Sequence, residues 1–205
     1  MSERMTDRKR RSIVEAAMHE FRTGGFDNTS MDQIAETAGV SKRTVYNHFS
    51  SKDELFDSIV ERLIERVGVI PPFEYRADAD LSGQLVKIAT DLTSVVSDGD
   101  FQSLARVMMS RMLTEPEMGR LLTEQTNHLN HQLAEWLAAA DHDKRLRVSS
   151  PEIAAEQLVG LLLSYAFWPR LFGIKKKTHR WPVKRYIEDL VRMFLRAYAV
   201  DDSKA

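Results

Sequence analysis

Between Thr29 and Phe56 the sequence reads TSMDQIAETAGVSKRTVYNHFSSKDELF, a stretch that packs three helix starts around one tight turn. Ser30 stands three residues before Gln33, and Ser51 three before Glu54. In such pairs a hydroxyl accepts from the third helical N–H while the longer side chain reaches back. Helices are therefore expected to begin near Met31 and Lys52. Gly39 follows Met31, Ile34, Ala35 and Ala38 at helical spacing and suits a C-terminal cap with positive φ. Ser41 can cap the next helix, with Val40 before the cap and Val45 at the fourth helical position stapling the entering chain. The expected unit is helix, glycine turn, helix.

On the helix from Lys42 to His48, Val45 and Phe49 share one face and should be buried, leaving Lys42, Arg43, Tyr46 and Asn47 as an outward stripe. Arg and Lys pair with guanine edges or phosphates, Asn with adenine, and Tyr with phosphate, so the stripe suits a major groove. Arg43 and Asn47 are the expected base readers. A charged stripe alone is more often a solvated face. The caps and the turn around this one favour the groove.

The segment resembles the DNA-binding domain of TetR-family transcriptional regulators, over roughly residues 7 to 67. Gly39-Val40-Ser41, Thr44, Tyr46, His48-Phe49, Lys52 and Leu55 carry the likeness. The resemblance implies phosphate contacts from Thr29, Thr44, Tyr46, His48 and Lys52, with Lys42 and Arg43 near bases or backbone. Ser41 joins this candidate set as the cap of the reading helix. A first helix through Ile13, Ala16, Ala17 and Phe21, ended by Gly24-Gly25, would complete the small core. Its opening, Arg8-Lys9-Arg10-Arg11, places cations at a helix start, where the macrodipole disfavours them. A phosphate would remove that conflict; a solvated basic tail is the plain alternative.

The 205 residues are 43% hydrophobic, enough for a sizeable core in one domain or two. The chain has no cysteine, which excludes disulfides and thiolate metal sites, and it opens on no apolar segment, so a cytoplasmic protein is expected. Net charge is only -1, so affinity for DNA must come from locally placed cations.

No strand-like alternation persists beyond the head, and the fold class expected is all-α. Leu55, Phe56, Ile59, Val60, Leu63 and Val67 trace a fourth helix closed by Gly68 and Pro71-Pro72. The organisation expected is a head over 1–51, a connecting helix over 52–70, and a ligand-binding and dimerisation domain over 71–205. Further helices are expected near Leu81 to Val96, Phe101 to Leu113, Pro116 to Ala139, Pro151 to Leu171 with Ser150 as cap, and Pro182 to Val200.

The pieces LTEPEMGRLL and LRVSSPEIAAEQLVGLL and the aromatics at Phe167-Trp168 are similar to the C-terminal domain of the AefR-like branch of that family. The helix from Pro151 is apolar on nearly every side and the last helix has a broad apolar face, so two surfaces must cover them. Two copies of the pair would form a four-helix interface, with Leu158, Leu162, Tyr165, Ile187, Val191 and Phe194 as candidate dimer residues. A membrane span competes for the apolar run, but Gly160, Pro169 and Arg170 cut it short of about 20 clean residues. A homodimer would present two reading helices to successive major grooves of an inverted repeat in double-stranded DNA. The resemblance implies repression as the usual mode.

Phe101, Leu104, Met108, Met109, Met112, Met118, Trp136, Phe167 and Trp168 supply adaptable apolar and aromatic surface for a small apolar or aromatic effector. Ordinary core packing is the plain account of most of them. Arg106 and Arg111 point in different directions on one helix and give no sign of an acidic ligand. A rival class is a metal protein or enzyme built on His128 and His131, with Glu124 and Glu135 one turn away on either side. A solvated helical face explains that set more simply, no nucleophile elbow or phosphate loop is present, and neither metal nor cofactor is expected. Lys175-Lys176-Lys177 with His179 and Arg180 reads as a basic connector.

Overall fold

The computed structural model describes residues 2–112, 116–174 and 181–200, with side chains at 5–112, 127–174 and 181–200. Leu113, the side chains of Met118 and Glu124, and the basic patch Lys175, Lys176, Lys177, His179 and Arg180 lie outside the described residues. The elements are α1 (Ser2–Gly24), α2 (Met31–Thr37), α3 (Lys42–His48), α4 (Lys52–Gly68), α5 (Leu81–Ser97), α6 (Gly99–Met112), α7 (Pro116–His142), α8 (Pro151–Ala166), α9 (Trp168–Leu171) and α10 (Val183–Ala197). The fold is all-α, and no strand occurs among the described residues.

The chain divides into two compact units, Met1–Val67 with Gly99–Leu121, and Gly68–Asp98 with Leu122–Ala205. This differs from a single boundary near residue 70, because α6 packs with the head. In the first unit α1 packs against α2, α3 and α6. Ile13, Ala17, Phe21, Ile34, Val45, Phe49, Leu55, Phe56 and Ile59 are all fully buried there. Each large apolar side chain so buried contributes roughly 1.5–3 kcal/mol. Phe21, Phe26 and Phe56 form an aromatic cluster with centroids 5.1 to 6.2 Å apart. Ser12 donates to the Ala38 carbonyl at 3.1 Å, pinning α1 to the end of α2.

In the second unit α5 packs against α8 and α10, and α8 against α9 and α10. Leu85, Ile88 and Leu92 of α5 share a core with Leu133, Trp136 and Leu137 of α7 and with inward residues of α8 and α10. Asp80 caps α5 by accepting from Ser82 and Gly83 N–H. Ser150 caps α8 through the Ile153 N–H at 3.4 Å. The single helix expected from Pro151 to Leu171 breaks at Phe167, where α8 ends and α9 begins. Pro169 lacks an N–H and its ring would clash with the carbonyl four residues earlier, so the chain restarts with proline in the first turn of α9. Arg170 then donates to the Ala166 carbonyl at 2.9 Å. No helix among the described residues is long and apolar enough to cross a membrane.

Candidate nucleic-acid interface

The α2–α3 unit is built from local hydrogen bonds. Ser30 accepts from Gln33 N–H at 3.2 Å while the Gln33 side chain accepts from Ser30 N–H at 2.8 Å, a reciprocal capping box. Gly39 adopts φ +66°. Its N–H reaches the Glu36 carbonyl and the Val40 N–H reaches the Ala35 carbonyl, both at 3.0 Å, which closes α2 in a Schellman motif. Ser41 accepts from Thr44 N–H at 3.1 Å and shares a second bond with the Thr44 hydroxyl at 2.8 Å. Val45 and Phe49 are buried beneath α3, which fixes the helix's rotation about its axis.

That rotation turns Lys42, Arg43, Tyr46 and Asn47 outward, all exposed. The groups differ in freedom. Lys42 Nζ is held by Asp32 of α2 at 2.8 Å, with both side chains 60% exposed. The hydrogen bond to Asp32, then its charge, raises the Lys42 pKa above the ordinary lysine value. Thr44 and His48 are half-buried at the edge of the stripe.

Thr29 and Lys52 are placed differently. Thr29 is buried and donates to the Gly25 carbonyl at 2.8 Å. Lys52 Nζ donates to the carbonyls of Phe26, Asp27 and Thr29 at 2.6, 3.2 and 2.9 Å, and sits 4.4 Å from the Phe26 ring centroid. An ammonium has three donors, so this geometry engages all of them internally. The capping pair at α4 is shifted from expectation. Ser51 accepts from Glu54 N–H at 3.1 Å, but the Glu54 carboxylate takes the N–H and hydroxyl of Ser50 at 2.6 and 2.7 Å. Those bonds hold the Glu54 pKa below the ordinary glutamate value.

The basic run at the start of α1 splits between two clefts. Lys9, with Met5 and Thr6, lines an open cleft of about 450 Å³ whose other wall is Thr44, Asn47 and His48 of α3. Arg10 lies 4.9 Å over the Phe49 ring. Arg10 and Arg11 line a larger cleft of about 690 Å³ with Asp7, Glu15, Glu61, Arg62, Glu65, Arg66 and Asp100, where cations and acids are mixed. Lys9, one of the four cations of the basic run, thus lies beside α3, apart from Arg10 and Arg11.

A family model described as bacterial regulatory proteins, tetR family, matches residues 13–59, and one described as AefR-like transcriptional repressor, C-terminal domain, matches residues 83–200. The chain belongs to the TetR family of transcriptional regulators. It is similar to a TetR-family regulator from Pseudomonas syringae pv. tomato, 37% identical, covering 95% of this chain and 99% of that one with a TM-score of 0.75. The Flavonoid-responsive Regulator FrrA is 28% identical over 97% of this chain and 100% of its own, with a TM-score of 0.69. Among curated relatives, the transcriptional activator FasR of Mycolicibacterium smegmatis is 30% identical over 55% of this chain and 51% of its own length. The chain therefore spans about half the length of that relative. The regulator AcrR of Shigella flexneri is 24% identical over 91% of this chain and 89% of its own.

In this TetR-family chain the candidate effector residues fall into both units. Phe101, Leu104 and Met108 of α6 are buried and Met112 is half-buried, all in the first unit. In the second, Trp136 is buried with its ring edge-on to Tyr75 at 5.6 Å, Phe167 is half-buried, and Trp168 is exposed and stacked on Phe172. The buried indole N–H of Trp136 and the Tyr75 hydroxyl have no hydrogen-bond partner among the described residues. His128 and His131 are exposed; His128 meets Gln132 at 2.7 Å and His131 meets Glu135 at 3.3 Å. No group of three metal-ligating side chains occurs among the described residues.

The candidate dimer residues lie in the interior of the chain itself. Leu158, Leu162, Tyr165, Ile187, Val191 and Phe194 are all buried within the single chain, most of them in the core that α5, α7, α8 and α10 share. A residue enclosed by its own protomer does not present its side chain to a partner. The exposed residues of α8 are Glu152, Ile153, Glu156, Gln157, Gly160, Leu161 and Ser164, and α10 exposes Met193 among its charged residues. Gly160 sits mid-helix with open space where a Cβ would stand.

Proposed function

We propose that this TetR-family regulator is a cytoplasmic homodimer that binds an inverted-repeat operator, represses from it, and leaves it when a small apolar or aromatic effector binds. The observation that carries the reading is the outward stripe Lys42, Arg43, Tyr46 and Asn47 on a helix whose rotation is fixed by two caps and a buried face. Arg43 and Asn47 read bases. Ser41, Thr44, Tyr46 and His48 contact the backbone, and Lys9 joins them from α1. Thr29 and Lys52 approach phosphate only if DNA draws them from their internal bonds; otherwise they act by shaping the loop.

For the dimer, the exposed α8 face is the supporting feature. An exposed glycine in a helix interior costs roughly 0.5–1 kcal/mol relative to alanine, and close approach of a second helix offsets that cost. The mode of control draws on the AefR-like repressor description of the C-terminal domain. Similarity to a flavonoid-responsive regulator supports an aromatic effector, and Phe101, Leu104, Met108, Met112, Trp136, Phe167 and Trp168 remain its proposed contacts. The proposed division of labour is a head over 1–51, a connecting helix over 52–70 and an effector and dimer domain over 71–205, with α6 reaching back to the head.

The test is selection of random duplex DNA by the full-length protein, then anisotropy titration of the winner across salt with wild type and the Arg43→Ala, Tyr46→Ala double variant. An enriched inverted repeat, bound much more weakly by the double variant, supports the reading. Absence of any enriched sequence, or indifference to both substitutions, sinks it.

A further inference from the structure

Two cations of different origin lie against one ring in the loop that joins α1 to α2. Lys52 Nζ is 4.4 Å and Arg111 Cζ 3.8 Å from the Phe26 centroid. Arg111 also lies 4.5 Å from the Phe56 centroid and donates to Asp53 at 2.7 Å, in the first turn of α4. Its side chain is only 9% exposed, against 65% for Asp53. A buried guanidinium is tolerated where its charge is met, and a planar group can stack on rings while donating in its plane, which an ammonium cannot do.

Arg111 comes from α6, and α6 has an unusual place in the chain. It packs with the first unit, yet the chain arrives from the second unit at Asp98 and returns to it at Leu122. A second tie lies at the other end of α6, where Asp100 meets Arg66 at 2.6 Å and Arg62 at 3.5 Å. That tie is solvent-exposed, and exposed pairs hold weakly. The Arg111 tie adds the faces of two rings, Phe26 and Phe56, to its ion pair.

We infer that Arg111 is a positioning residue for DNA binding: it latches α6 onto the Phe26 loop and the start of α4, so the segment carrying Thr29 and Lys52 is set by a helix tethered to the second unit. This rests on the DNA-binding reading above. Loss of that latch loosens the loop without touching α3.

The experiment uses full-length wild type, Arg111→Met, Arg111→Lys and Asp53→Asn, an operator selected with the wild type, and hydrogen exchange of the free proteins. Arg111→Met should weaken operator binding by roughly 5- to 150-fold, the usual range for coupling between sites. The salt slope should stay unchanged, since no phosphate contact is removed. Exchange should rise over residues 25–30 while residues 42–48 keep wild-type protection, and Arg111→Lys should recover part of both effects. Wild-type affinity and loop protection in Arg111→Met would overturn the inference. So would a salt slope lower by about one, which marks a direct phosphate contact, or protection lost equally over 42–48, which marks general loosening. If Arg111→Met does not fold, Arg111→Lys and Asp53→Asn decide by the same comparisons. If the wild type selects no operator, the DNA-binding reading falls and takes the positioning role with it, while exchange over 25–30 still shows whether the latch exists.

Discussion

Lys42 and Asp32 meet at 2.8 Å across the glycine turn, so the first cation of the reading helix is already partnered before DNA arrives. If Lys42 meets operator phosphate as proposed, phosphate and Asp32 compete for the same ammonium. The raised Lys42 pKa moves its titration further above neutrality. Because a raised lysine pKa adds stability that is present below the unfolded value and lost only as pH climbs through the folded one, the Lys42 charge is kept throughout the range below the ordinary lysine value. Salt is the variable that matters.

Asp32→Asn should therefore tighten operator binding at low salt and steepen its dependence on salt concentration by about one unit of slope. Fluorescence anisotropy over a salt series measures both. Weaker binding by Asp32→Asn would mean that the carboxylate orients Lys42 for contact and does not compete for it.

Arg43 and Lys9 should separate as reader and anchor. Arg43→Ala is expected to cost about 1–3 kcal/mol on the selected operator and to relax preference at one base position in each half-site. Lys9→Ala should weaken all sequences alike and lower the salt slope by about one. Titration of both variants against the operator and its single-base mismatches distinguishes them, and identical profiles would remove the assignment.

The bonds from Ser50 to Glu54 give the head an acid-sensitive joint at the start of α4. The Glu54 pKa is depressed in the folded chain, so its contribution is complete above the unfolded value of about 4.3 and is lost as pH falls through the folded one. Thermal unfolding of wild type and Glu54→Gln should differ at pH 7 and converge as pH falls through the depressed Glu54 pKa. A difference that persists unchanged into acid would assign the stability to shape rather than charge.

What could be read from the sequence is what local chemistry determines. Ser30, Gly39, Ser41 and Ser150 act within a few residues of themselves, so their caps were legible from spacing, and so was an all-α fold from helical periodicity. Lys52 was harder: a lysine at a helix start reads as exposed, and only the course of the 26–29 loop brings three carbonyls to it. The membership of α6 in the head depends on its packing against α1 and on contacts such as those of Arg111 with Phe26, Asp53 and Phe56, all distant in sequence, which no periodicity carries. On α8 the difficulty was opposite. Apolar residues on nearly every side raise the expectation of two covering surfaces but do not say which side meets its own core.

Gly160 and Leu158 test that distinction directly. Leu158 is fully enclosed in the protomer, so Leu158→Ala should cost about 2–5 kcal/mol of folding stability whatever the association state. At Gly160 the space beyond the backbone is open, and replacing glycine in an exposed helix interior stabilises a lone chain by roughly 0.4–1 kcal/mol. If a second copy packs closely there, Gly160→Glu should instead yield a folded monomer, because the added carboxylate would be pressed against the facing helix. Sedimentation equilibrium reports the mass and circular dichroism the fold. A Gly160→Glu protein that stays dimeric, or a wild type that sediments as a monomer, would move the partner surface away from the exposed face of α8.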